Sequence, residues 1–174
     1  MSRQYVLVTG ATGFIGAHVV DQLLSRGIKV RGATRSLAKG DAMIKARPQY
    51  AGKLDFVQID DFDKLKDGKE QSSIFDEAVK GVDGIIHTAS VCAPSFPTVP
   101  SSISQNTNPY PFQPLTYSTT NNETELILPA INGVLALLNA AANANANTTT
   151  TPNPTTAPTT IRRVILTSSF ASIM

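Results

Sequence analysis

One junction constrains this chain more than any other stretch: a short apolar run, Tyr5 to Val8, passes through a glycine-spaced turn into an amphipathic segment. The turn reads Val8-Thr9-Gly10-Ala11-Thr12-Gly13-Phe14-Ile15-Gly16. Beyond it Phe14, Ile15, His18, Val19, Leu23 and Leu24 recur at helical spacing, and Gly27 stands where a helix end favours positive φ. That spacing predicts a strand, a tight turn and a helix from about Phe14 to Arg26. In such a turn Gly10 would permit the reversal, Gly13 would let a pyrophosphate approach the backbone, and Gly16 would let the helix pack closely on the sheet. The position of the glycines carries the reading: a dinucleotide is expected at this helix N-terminus, against Thr12, Phe14 and Ile15 as well as the three glycines.

The rest of the chain alternates short β-branched runs with longer amphipathic stretches, which predicts βαβ units around a parallel sheet. Strands are expected at Tyr5–Thr9, Lys29–Thr34, Leu54–Ile59, Gly84–Thr88 and Arg163–Ser168. Further helices are expected near Ser36–Arg47 and Ser72–Lys80. The longest should run from about Glu123 to Ala142, with Ile127, Ile131, Val134, Leu135, Leu138 and Ala141 as its inward stripe and Pro129 in its first turn. The fold class is therefore α/β, a Rossmann-type doubly wound parallel sheet of about five strands. Two stretches interrupt the alternation: residues 94–122, rich in Pro, Ser, Thr and Asn, and residues 143–160, an Asn/Ala tract followed by a Thr/Pro tract. Both are expected to be exposed, mobile insertions, because they hold too few apolar groups to offset the entropy of ordering.

With 174 residues, 41% of them hydrophobic, the chain suffices for one domain spanning 1–174 and is too short for a separate substrate domain. The single Cys92 cannot form an internal disulfide, and no leader-like apolar segment opens the chain. A cytoplasmic setting is expected. No run reaches the roughly 18 apolar residues that span a bilayer, so no membrane role is expected. The net charge of +2 conceals an asymmetry, since Lys and Arg outnumber acids nine to two over residues 1–53. Those bases are scattered over helix ends and a strand, without interleaved aromatics, so they predict a solvated surface with one or two phosphate contacts and no nucleic-acid partner.

An enzyme using NAD would carry an acid at the end of the second strand, roughly 20 residues beyond the glycine loop, to accept the ribose 2′-hydroxyl. Here the strand ends Gly32-Ala33-Thr34-Arg35-Ser36. No acid stands there to repel a 2′-phosphate, and Arg35 can pair with one through its planar donor fork, with Lys39 one helical turn on as a second charge. The expected cofactor is NADP(H); the competing reading leaves Arg35 a strand-end residue with no ligand.

The glycine spacing resembles the extended short-chain dehydrogenase/reductases, the epimerase/dehydratase superfamily, and three further motifs extend the likeness over nearly the whole chain. These are His87-Thr88-Ala89-Ser90, then Leu128-Pro129-Ala130-Ile131-Asn132-Gly133-Val134, then Arg163-Val164-Ile165-Leu166-Thr167-Ser168-Ser169-Phe170-Ala171-Ser172. They look like the fungal aldehyde and ketone reductases, of methylglyoxal-reductase type, that stand beside the plant dihydroflavonol reductases. The resemblance implies an acid for the adenine amino group, matched best by Asp61 with Asp60 as its neighbour. It also implies a passage along the cofactor ribose at Thr88, Ala89 and Ser90. His87 falls before that turn and reads as a strand residue. Cys92 reads as a small buried thiol, and Asn132 as a residue bracing the site or an ordinary helix contact.

Reducing a carbonyl with NADPH needs a hydride, a proton and donors that hold the developing alkoxide. In the family a Ser and a Tyr hold the oxygen, and a Lys four residues after the Tyr lowers its pKa. Ser169 matches that serine, with Ser168 the alternative. Tyr5, Tyr50, Tyr110 and Tyr117 are each followed four residues on by something other than Lys. The resemblance places the missing pair, and the region shaping the pocket for a small carbonyl substrate, beyond residue 174. This 174-residue polypeptide is therefore expected to bind cofactor, to show little reductase activity and to have marginal solubility at an open fifth strand. A homodimer is among the partners the resemblance implies, through helices flanking the fourth and fifth strands. A non-catalytic NADP(H)-binding sensor or regulatory module, and a fragment without function, remain the competing readings.

Overall fold

The computed structural model describes residues 4–59, 73–89, 127–148 and 160–167. Ten elements appear there, strands and α-helices in alternation with one 3-10 turn between the second helix and the third strand. In order they are β1 (Tyr5–Thr9), α1 (Phe14–Ser25), β2 (Lys29–Thr34), α2 (Leu37–Lys45), a single 3-10 turn (Pro48–Tyr50), β3 (Leu54–Gln58), α3 (Ser73–Val79), β4 (Gly84–His87), α4 (Leu128–Thr148) and β5 (Arg163–Leu166). The strands form one sheet in the order β3-β2-β1-β4-β5, and every pair is parallel. The chain winds outward from β1 to one edge, then returns to β1 and winds to the other. The order therefore reverses between β1 and β4, the place where open α/β sheets leave a crevice at their carboxyl ends.

Neighbouring residues of β1 show why helices cover both faces. Leu7 and Val8 are each fully buried, yet alternation along a strand sends them to opposite sides. Leu7 joins Phe75, Ala78, Val79, Ile85, Ala136 and Leu137 beneath α3 and α4. Val8 joins Val20, Leu24, Val30 and Met43 beneath α1 and α2. Each fully buried large side chain contributes about 1.5–3 kcal/mol relative to exposure, so one strand anchors two cores. Arg47 ties the second layer together: its guanidinium meets the Asp21 carboxylate twice, at 2.5 and 2.9 Å, joining the end of α2 to α1. That pair holds the Asp21 carboxyl below its ordinary range.

The other layer is braced by Arg31. Its guanidinium bonds Asp55 at 3.1 Å and donates to the carbonyls of Glu77, Ala78 and Lys80, which end α3. The Tyr5 hydroxyl donates to the same carboxylate at 2.6 Å. Burial, then the bond and charge of Asp55, raise its pKa far above the usual phenol value.

Two expectations about α4 are corrected. The inward stripe is Gly133, Ala136, Leu137, Ala140 and Ala141. Ile127, Ile131, Leu135 and Leu138, expected inside, are 52%, 48%, 44% and 38% exposed, and Val134 is half-buried. Small residues let the helix axis approach the sheet, and the large ones are turned outward. The helix also runs on to Thr148, into the tract expected to be an exposed insertion from residue 143. Alanine favours the helix, Ala144 packs against the core, and Asn145 is held by the backbone of Ile161 through two bonds of 3.1 and 2.8 Å. The remaining part of that tract, residues 149–159, and all of 94–122 lie outside the described residues.

Strand ends came out shorter than expected by one residue at β3 and β4 and by two at β5. Strand β5 is the sheet edge, with Ile165 and Leu166 53% and 43% exposed. Among the described residues no helix is long and apolar enough to cross a membrane.

Candidate functional site: the crevice between β1 and β4

Gly10 reverses the chain after β1 with φ at +66°, a conformation only glycine adopts freely. Space excludes a side chain there as firmly as φ does. A Cβ at Gly10 would lie 2.9 Å from both the backbone nitrogen and Cα of Ala89. The Gly13 amide donates to the Gly10 carbonyl at 2.9 Å, closing the turn, and Gly13 becomes the N-cap of α1. A Cβ on Gly16 would collide with the Gly10 carbonyl and lie 2.9 Å from Ala11 Cα. Its close approach is thus to the loop itself, where packing against the sheet was expected.

No side chain caps α1, and no acid stands in its first turn. Its leading amides are left to face the crevice with the positive end of the helix dipole, an arrangement suited to an anion. Gly13, Phe14 and Ile15 are exposed at this end, while Thr12 is half-buried. Phe14, 83% exposed, stacks edge-on against His18.

The opposite wall is the end of β4, and threonines bind it to β1. The Thr88 hydroxyl donates to the Thr9 carbonyl at 2.7 Å, and the Ala89 amide donates to the Thr9 hydroxyl at 3.3 Å. The Thr9 hydroxyl in turn meets His87 Nδ1 at 2.7 Å. The same hydroxyl thus meets both the Ala89 amide and the His87 ring. Burial disfavours the charged ring and lowers the His87 pKa below its ordinary value. Thr167, just past β5, donates to the His87 carbonyl through both its amide and its hydroxyl, each at 3.0 Å. The carboxyl ends of β1, β4 and β5 are therefore one hydrogen-bonded unit.

At the end of β2, Arg35 and Lys39 are both exposed and sit at the start of α2. The turn between them is internally bonded: the Ser36 amide donates to the Thr34 hydroxyl at 3.2 Å, and the Lys39 amide to the Ser36 carbonyl at 3.1 Å. The Gln58 amide reaches the Arg35 carbonyl at 3.4 Å, fastening this turn to β3.

Gly10 is thus in contact with Gly13, Gly16 and Ala89, and Thr9 is bonded to Thr88 and Ala89. Thr12, Phe14 and Ile15 belong to the same turn and the first residues of α1, and Arg35 and Lys39 stand at the end of the adjoining strand. Asn132 is half-buried near the start of α4. Asp60, Asp61, Ser90, Ser168 and Ser169 lie outside the described residues. Sequence reasoning missed the Thr9–His87 pair, reading His87 only as a strand residue. The available signal was a threonine and a histidine ending two strands on either side of the topological reversal. Among the described residues no group of three metal-ligating side chains occurs.

A parallel sheet reversing at a glycine turn, with an uncapped helix over the reversal, defines a Rossmann-type α/β domain. Residues 6–102 match the model of the NAD dependent epimerase/dehydratase family, and the chain belongs to that family. It is 35% identical over 173 residues to an uncharacterised oxidoreductase of Schizosaccharomyces pombe, covering 99% of this chain and 39% of that protein. It is 33% identical over 168 residues to aldehyde reductase 2 of Sporidiobolus salmonicolor, covering 96% and 36%. The yeast methylglyoxal/isovaleraldehyde reductase Gre2, solved in complex with NADPH, superposes with a TM-score of 0.63 at 27% identity, over 97% of this chain and 38% of that one. The chain thus spans less than two fifths of the length of these relatives.

Proposed function

We propose that this chain forms the NADP(H)-binding part of a reductase that converts a small aldehyde or ketone to an alcohol. The observation carrying the reading is the Gly10 turn. Its positive φ and the closeness of Ala89 leave no room for a side chain at Gly10, in the turn that leads into the uncapped N-terminus of α1. Those residues fit a dinucleotide: the Gly13–Gly16 amides would hold the diphosphate, and Thr88, Ala89 and Ser90 would flank a ribose. Arg35 and Lys39 would take the 2′-phosphate, and Asp61, or Asp60 beside it, would take the adenine amino group. The relatives named for aldehyde reduction, and the NADPH complex of the yeast reductase, support the substrate class and the cofactor.

When bound, NADPH supplies the hydride. Ser169, or Ser168 beside it, holds the carbonyl oxygen as charge develops on it. No tyrosine of this chain is followed four residues later by a lysine, so the proton donor of the family's reaction is not among residues 1–174. The chain by itself therefore turns over little or no aldehyde.

Titration of NADPH and NADH into the purified 174-residue chain, read by nucleotide fluorescence, tests this. Saturable binding with NADPH the tighter ligand is expected, and Arg35→Glu should weaken NADPH by at least about tenfold while sparing NADH. Binding of neither nucleotide would sink the reading. Steady NADPH oxidation by an aldehyde would sink the statement on turnover.

A further inference from the structure

One aromatic ring on β3 has a glycine beneath it and another above it. Phe56 is the register partner of Gly32 on β2, and its ring leans over that position. A Cβ on Gly32 would collide with the ring and lie 3.0 Å from Ala11 Cβ. On the other side a Cβ on Gly40 would lie 2.7 Å from Phe56 Cγ and 3.0 Å from its Cβ, whereas carbon contacts settle at about 3.5–4.0 Å. Gly40 is buried inside α2, where glycine is the poorest helix former apart from proline. Its presence against that local preference marks the contact with Phe56 as what the position requires.

The segment carrying the two basic residues is built on this contact. Lys39 immediately precedes Gly40, and both amides donate to the Ser36 carbonyl, at 3.1 and 3.3 Å. The Ile59 amide donates to the Thr34 carbonyl at 3.0 Å, and Gln58 reaches the Arg35 carbonyl. Residues 34–40 are thus tethered at their base to the end of β3, and the ring two residues back in β3 is the spacer under the helix.

We propose that Phe56, bedded between Gly32 and Gly40, sets the height of α2 above the sheet and so positions Arg35 and Lys39 for the 2′-phosphate, which makes Gly40 and Phe56 positioning residues for cofactor selectivity. This rests on the NADP(H) reading of the same crevice. A methyl group at position 40 lifts α2 by ~1 Å, as the contact distances require. The three atoms nearest to such a methyl group all belong to Phe56 and none to the glycine loop. NADPH and NADH differ only in the 2′-phosphate, so the ratio of their affinities isolates this effect from any general loss of structure.

The test titrates both nucleotides against the wild-type 174-residue chain, Gly40→Ala, Phe56→Leu and the double variant. Gly40→Ala should lower the NADPH-to-NADH affinity ratio about tenfold, the scale of a misplaced charge-assisted contact, with NADH affinity within about twofold of wild type. Phe56→Leu alone should lower the ratio as well, because α2 settles inward, and it serves if Gly40→Ala does not fold. The double variant should restore the ratio, since the shorter side chain makes room for the new methyl group. Equal weakening of both nucleotides, an unchanged ratio in Phe56→Leu, or a double variant no better than Gly40→Ala would each overturn the positioning role. A wild-type chain that binds neither nucleotide, or both alike, overturns the reading of the crevice itself. A wild-type preference that is undiminished in Gly40→Ala overturns the positioning role alone.

Discussion

The Thr9 hydroxyl and His87 Nδ1 lie 2.7 Å apart in a buried contact that joins two strands 78 residues apart in the chain. Thr9 is the last residue of β1 and His87 the last of β4, so the contact sits where the strand order reverses. It connects the glycine turn on one side to the Ala89 wall on the other.

This relationship has a pH signature. The folded protein holds His87 neutral, with its pKa lowered from 6.5 by burial, while the unfolded chain protonates it normally. Between the folded pKa and about 6.5 the unfolded state binds more protons, so stability falls as pH falls through that window and is fully present above it. Urea unfolding at a series of pH values from neutral downward should show this loss, and His87→Gln should flatten it. Identical pH slopes for the two proteins would refute a neutral, buried His87. Thr9→Val, which leaves the imidazole and the Ala89 amide without their partner, should cost about 1–3 kcal/mol at neutral pH.

The corrected orientation of α4 makes two adjacent leucines unequal. Leu137 is fully buried and Leu138 is 38% exposed. Leu137→Ala should destabilise by about 2–5 kcal/mol, and Leu138→Ala by no more than about 0.5 kcal/mol. Denaturant midpoints of the two variants measured side by side decide the matter. Equal losses, or the reverse order, would return the helix to the orientation that periodicity suggested.

Asn145 should matter more than its place in an Asn/Ala tract implies. Its amide both donates to and accepts from the Ile161 backbone, which brings the chain back to the sheet just before β5. Asn145→Ala removes both bonds and leaves the backbone groups to find water, a loss of about 1–2 kcal/mol in chemical unfolding. Faster amide exchange at Ile161 should accompany it. Substitution of the neighbouring exposed Ala146 by Ser serves as the comparison, with an expected change within about 0.5 kcal/mol.

Strand and helix periodicity could be read from the sequence because it is local: β-branched runs of five or six residues and an amphipathic helix after a glycine turn leave little choice of element. The glycine turn was legible for the same reason, since Gly10, Gly13 and Gly16 are defined by spacing along one stretch of chain. Residues that act through partners far away in sequence were not legible. His87 looked like an ordinary strand position until β4 was set beside β1. Phe56 and Gly40 looked unrelated until α2 lay on β3. The inward side of α4 was misread because the helix is apolar on more than one side. Periodicity ranks side chains by size and hydrophobicity, whereas the sheet selected the face whose glycine and alanines allow close approach.

By itself, then, the sequence determined the α/β alternation, the glycine turn and the basic end of β2, all consequences of local conformational preference and residue spacing. The tertiary structure decided which face of α4 is buried, how Thr9, His87, Ala89 and Thr167 join three strand ends, and how Phe56 spaces α2 from the sheet. Those are decided by packing density and by the need of every buried polar group for a partner, and neither exists until distant segments meet.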